Sequence, residues 1–191
     1  CAVYLATAGA RFERFYVCPV CAPTRAGLLT GRYHPRMGVC GTSRGWERMA
    51  TAELTIAEVL REHGYATGAF GKWHNGHYYP EHPNAQGFDD FVGFCMGHWN
   101  GYFDPFLERN GEVFQDKGYI VDRLTDHALE FIEAHREDPF FCYVAYNVPH
   151  TPHLVPDGYF DKYKALGLDD YTSSVYGMTE CVDDNLGRLL E

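Results

Sequence analysis

Apolar positions fall into a few periodic runs separated by a long polar, glycine-rich interval. From Glu53 to His63, Ile56, Val59 and Leu60 recur at helical spacing, Thr55 and Glu58 make a capping box ahead of them, and Gly64 supplies a stop. A helix is expected there, followed by a short strand over Tyr65 to Phe70. A second helix is expected from about Tyr119 to His135, with Ile120, Leu124, Ala128 and Phe131 on one face. Pro139 and the run FFCYVAY, Phe140 to Tyr146, come next, short and aromatic enough for a buried strand. A last helix, about Tyr171 to Leu190, carries Val175, Met178, Val182, Leu186 and Leu189 at helical spacing. Near the start, Phe15 to Val17 suits a strand, Pro23 a first helical turn, and Ala26 to Arg32 a helix. Gly71 to about Pro105, rich in Gly, Pro, His and Asn, is expected to be a long irregular binding loop. Helices alternating with short buried strands predict an α/β sheet, with ligands beyond the carboxyl ends of the strands.

Composition narrows this picture. At 191 residues, with no internal repeat or low-complexity linker, the chain reads as one continuous unit with one sizeable core. Asp plus Glu number 26 against 16 Lys plus Arg, so there is no global attraction for nucleic acid or anionic membrane. Any anion must be held by local positive groups. No apolar run is long enough to span a membrane. The seven cysteines are odd in number and dispersed, which is not a disulfide framework and leaves the redox compartment open. The chain opens on Cys1 without Met and closes inside an amphipathic run, so both ends look like truncations of a longer protein.

Candidate chemistry begins with VCPVCAPTRAGLLTG, Val17 to Gly31. Cys21 sits near a helix N-terminus, where free backbone N–H groups and the helix dipole favour an anion. Arg25, one turn on, adds a fixed charge and a forked donor on the same face. Such surroundings depress a thiol pKa or hold an oxyanion. The stretch alone leaves three alternatives. Cys18 could be the attacking thiol of a thioredoxin-like redox pair. Cys18, Cys21, His34 and Cys40 could ligate zinc. Or two cysteines are simply packed under a helix cap.

The wider sequence changes the balance. CAPTRAGLLTGR, Cys21 to Arg32, resembles the CxPxR signature of the type I sulfatases. GYATGAFGKWH, Gly64 to His74, is similar to the second signature of that family, departing at the bulky Phe70, and PHTP, Pro149 to Pro152, resembles its PHxP element. These motifs stand in the family's order, and the resemblance covers essentially the whole chain. It implies an α/β, alkaline-phosphatase-like sandwich with a mixed, largely parallel central sheet, of which residues 1–191 are only a part. It also implies a sulfuric ester hydrolase, with phosphonate or phosphate ester hydrolysis in the same superfamily as the alternative, and a non-catalytic anion-binding protein as another.

In that family the Cys of CxPxR is oxidised to formylglycine by a formylglycine-generating enzyme. The hydrated aldehyde attacks the sulfur of a sulfate ester, and its second hydroxyl then expels sulfate. By resemblance, Cys21 supplies this group and touches the metal, and Arg25 holds the formylglycine oxygen. His74 takes the diol proton, Lys72 binds sulfate oxygens, and His150 contacts the sulfate and the leaving oxygen, with His153 a nearby competitor. His98 and Asn100, in GHWNGYFDP, are candidates to contact the organic part of the substrate. His34 is expected in a structural turn after the first-motif helix.

The family's metal is usually calcium, held by an aspartate pair near the start of the domain and an Asp-Asn pair downstream. Neither pair is assignable here, since Asp183, Asp184 and Asn185 fall inside the terminal helix pattern. The expectation is therefore an internal fragment whose metal carboxylates, and one further sulfate-pocket lysine, lie outside residues 1–191, inactive by itself. By family the compartment is periplasmic, secreted or lysosomal. Substrate identity and oligomeric state are not legible.

Overall fold

In a computed structural model describing all of residues 1–191, strands β1 (Ala66–Lys72), β2 (Asp90–Phe94), β3 (Phe106–Arg109), β4 (Glu112–Gln115) and β5 (Phe140–Ala145) form one sheet. Its order is β4-β3-β2-β1-β5. β1 pairs in parallel with both neighbours, in register Gly68 to Asp90 and Ala66 to Phe140. β3 and β4 run antiparallel at the edge, so the sheet is mixed with a parallel centre. The centre is buried on both faces because successive side chains alternate. Phe70, Val92 and Phe94 enter one apolar cluster with α4 (Ile120–Ala134) and α6 (Asp170–Leu190). Ala69, Phe91 and Cys95 enter the other, with Ala22, Ala26 and Leu29 of α2 (Cys21–Thr30).

Several predicted elements form close to expectation. Before α3 (Ile56–Glu62) the Thr55 side chain accepts from Glu58 N–H and the Glu58 carboxylate from Thr55 N–H, completing the capping box. α4, α6 and β5 also lie where the apolar period put them. Three expectations are corrected. Phe15–Val17 is not a strand; its exposed side chains find no partner edge. α2 begins at Cys21 and ends at Thr30, because Gly31 adopts a left-handed conformation (φ 66°) and closes it. The interval Gly71–Pro105 is not wholly irregular, since it contains β2. Two further helices were not foreseen, α1 (Ala2–Ala8) and α5 (Asp157–Lys164). The β3–β4 hairpin turns at Asn110 and Gly111, both at positive φ (52° and 94°), as expected of an Asn-Gly turn.

Two glycines let the strand ends meet. A Cβ on Gly93 would lie 1.9 Å from the carbonyl oxygen of Gly71, and Gly71 itself has φ +122°. This close approach at the carboxyl end of β1 sets the positions of Lys72 and the residues after it.

Candidate active site

The N-cap of α2 is Val20, in an extended conformation, which makes Cys21 the first helical residue. Thr24 Oγ1 donates to the Cys18 carbonyl and Thr24 N to the Val20 carbonyl (3.1 Å), and buried Ala22, Ala26 and Leu29 anchor the helix. Cys21 and Arg25 thus lie one turn apart, both half-buried, against the carboxyl end of β1. Arg25 Nη1 donates to the Lys72 carbonyl at 2.5 Å. Cys21, Arg25 and Lys72, far apart in the sequence, are brought together.

Lys72, last in β1, is 3% exposed, and its Nζ donates to the Gly97 carbonyl at 2.6 Å. Burial lowers its pKa and the Arg25 charge adds to this, while Cys21 beside it works the other way. The ammonium is held dry and aimed beside Cys21.

His74, at φ +62°, is also 3% exposed. Its Nε2 lies 2.9 Å from the Thr42 carbonyl, which can only accept, so Nε2 carries the proton and Nδ1 keeps a lone pair. That Nδ1 is buried and has no partner. Burial pulls the His74 pKa down to about 4, the Thr42 bond opposes this, and the Lys72 and Arg25 charges reinforce it. His74 is therefore neutral through the neutral pH range and a weaker proton acceptor than an ordinary imidazole.

Asn75 and Gly97 escaped the sequence analysis. Asn75 Nδ2 donates to the carbonyls of Ala22 (3.1 Å) and Glu47 (3.3 Å), tying the first turn of α2 to the 42–47 loop. Its position beside His74 in GKWHNG was the available signal. Gly97 accepts from Lys72, and a Cβ there would fall 2.1 Å from His74 Nε2, so the 95–97 turn wraps both residues.

His150 is exposed, with Nδ1 2.9 Å from the Thr151 carbonyl and its own carbonyl accepting from Tyr102 Oη at 2.6 Å. Its ring stands 5.1 Å from that of His98, edge to face. His98 Nε2 and Asn100 Oδ1 bond to each other at 2.5 Å on the exposed rim. His153 instead packs edge-on against Tyr171. His34 occupies the turn after α2, its Nδ1 2.6 Å from the Val39 carbonyl, a structural place as expected. Cys18, Cys21, His34 and Cys40 do not form a ligand cluster; the one group of three or more possible metal donors is elsewhere.

The charged side chain set against Cys21 is the cationic Lys72, so the residues present do not by themselves fit a hard divalent ion such as calcium. Asp183 is engaged by the Cys1 amino group and Ala2 N–H, Asp184 by Tyr159 Oη, and Asn185 by Asp122. None of the three belongs to a group of possible metal donors.

The family model described as Sulfatase matches residues 3–191. This chain belongs to the sulfatase family. It is 33% identical over 213 aligned positions to the uncharacterized sulfatase YdeN of Escherichia coli K12, covering 96% of this chain and 37% of that protein. It is 36% identical to an arylsulfatase of Hemicentrotus pulcherrimus, over 77% of this chain and 32% of that protein. Among solved structures, Ps i-CgsB in complex with k-i-k-neocarrahexaose superimposes with a TM-score of 0.79 at 30% identity, over 88% of this chain and 43% of that one. The sulfatase chain thus spans about a third of the length of these curated relatives. The sheet and helices are those of an alkaline-phosphatase-like domain.

Proposed function

We propose that residues 1–191 carry the sulfate-transferring part of a sulfatase that hydrolyses sulfate esters, with Cys21 converted to formylglycine by a formylglycine-generating enzyme. The observation that carries this is the convergence of Cys21, Arg25 and Lys72 at one strand end, with the unpartnered Nδ1 of His74 beside them. Formylglycine at position 21 would supply a geminal diol, one hydroxyl of which attacks sulfur while the other later releases sulfate.

The neighbours fit that chemistry. Arg25 orients the oxygen at position 21 with its remaining guanidinium donors. Lys72, fixed and largely dehydrated, binds the equatorial sulfate oxygens, where a pre-placed charge stabilises the transition state more than the ground state. His74, neutral and with its tautomer set by Thr42, accepts a proton at Nδ1. His150 contacts the sulfate and the departing oxygen from the rim, and His98 with Asn100 meets the organic portion. Calcium carboxylates would come from chain outside these residues, and residues 1–191 would be inactive alone.

The test is co-expression of the parent protein with a formylglycine-generating enzyme, followed by mass spectrometry of the tryptic peptide Phe15–Arg25. A loss of about 18 Da at position 21 is expected. It should accompany hydrolysis of an aryl sulfate that Cys21→Ala abolishes. Turnover by protein retaining an unmodified thiol would defeat the formylglycine step, and preference for a phosphate or phosphonate ester would defeat the sulfate assignment.

A further inference from the structure

Away from Cys21, the ring nitrogen of His82, the thiol of Cys95 and a carboxylate oxygen of Glu108 lie within 4.8 Å of one another. His82 is 4% exposed and Cys95 3%, and the Glu108 side chain 16%. They come from separate pieces of chain. His82 caps the turn Pro83–Ala85, Cys95 follows β2, and Glu108 lies on β3 opposite Gly93. Cys95 is two residues beyond Gly93, so it and Glu108 project to the same face of the sheet. Tyr79 stacks on the His82 ring at 5.1 Å and Phe91 meets it edge-on at 5.5 Å, which fixes the ring's plane.

We propose that His82, Cys95 and Glu108 form a three-ligand site for a divalent transition metal of the zinc class, separate from Cys21 and independent of the sulfatase assignment. Thiolate, imidazole and carboxylate are the donors that zinc takes in tetrahedral sites, and a thiolate discriminates against calcium and magnesium. Three protein ligands leave a fourth position, and the partly exposed Glu108 gives solvent a way to fill it. His82 Nε2 now lies 2.6 Å from Glu108 Oε1, so the ion takes the place of the shared proton. The imidazole proton then moves to Nδ1, which stops accepting from Asn84 N–H (3.3 Å), so that N–H must turn away, and the thiol proton leaves to solvent.

The site's position gives it a role. The Cys95 carbonyl accepts from His74 N–H at 3.2 Å, and Gly97, two residues on, accepts from Lys72 Nζ. A metal at Cys95 braces the turn that wraps both, and pins the 76–82 loop to β2 and β3.

Cobalt(II) alone, added to chelator-treated parent protein, is the probe. One equivalent should produce tetrahedral d–d bands and a thiolate-to-cobalt charge-transfer band. Cys95→Ser should abolish the charge-transfer band, and His82→Gln should weaken cobalt binding by at least roughly tenfold. No band at stoichiometric cobalt, or the same band in Cys95→Ser supplied by another cysteine, overturns the proposal. If either buried variant fails to fold, the more exposed Glu108→Gln decides: at least tenfold weaker binding supports the site, and unchanged binding overturns it.

Discussion

Acidification should destabilise the protein through His74 in particular. The folded-state pKa is about 4 against 6.5 for a free imidazole, because the ring is buried beside Lys72 and Arg25. Between those values the unfolded chain binds a proton that the folded chain refuses. The stabilisation is therefore full above the unfolded pKa and is lost as pH falls toward about 4. Linkage gives a loss of about 2.5 kcal/mol between roughly pH 7.5 and pH 4.5 from this one group. Solvent reaching the Cys21 side of the site screens part of that, leaving about 1–2 kcal/mol. Other groups titrate over the same range, so the informative quantity is a difference between proteins. His74→Gln retains an amide donor for the Thr42 carbonyl but carries no titratable proton. Urea unfolding followed by fluorescence of buried Trp73 at the two pH values should show a smaller acid loss in the variant, by about 1–2 kcal/mol. Equal losses in both proteins would mean that His74 titrates like a free imidazole, and the burial argument would be wrong.

Lys72→Met keeps the apolar stem and removes the ammonium; turnover of the parent enzyme should fall at least about 100-fold while its melting temperature changes little. A variant within about threefold of wild-type turnover would remove Lys72 from the sulfate site. Gly93→Ala places a methyl 1.9 Å from the Gly71 carbonyl oxygen and should cost about 3 kcal/mol in unfolding free energy, a steric penalty measurable by thermal melting. An unchanged melting temperature would show that the strands can separate there without cost.

Much of the fold was legible because its signals are local. The Thr55–Glu58 capping box, the apolar faces of α4 and α6, and the aromatic run of β5 each depend on residues a few positions apart. β2 was hidden because its FVGF core stands among the glycines and histidines that argued for a loop. The β3–β4 hairpin offered its Asn-Gly turn, but its flanking strands are only four residues each and barely alternate. Phe15–Val17 had the composition of a strand and no neighbouring edge to pair with, and strand formation requires a partner that local composition does not supply.

The sequence by itself determined that Cys21 and Arg25 share a helix face, that Lys72 and His74 follow a strand, and that the motifs are those of a sulfatase. Covalent neighbours at a fixed helical or strand period leave little freedom in such matters. Tertiary structure alone decided that Lys72 is dry and bound to Gly97, that His74 keeps Nδ1 free at a lowered pKa, and that His82, Cys95 and Glu108 converge. Desolvation and fixed charge come from residues far away in the chain, and only packing brings them within reach.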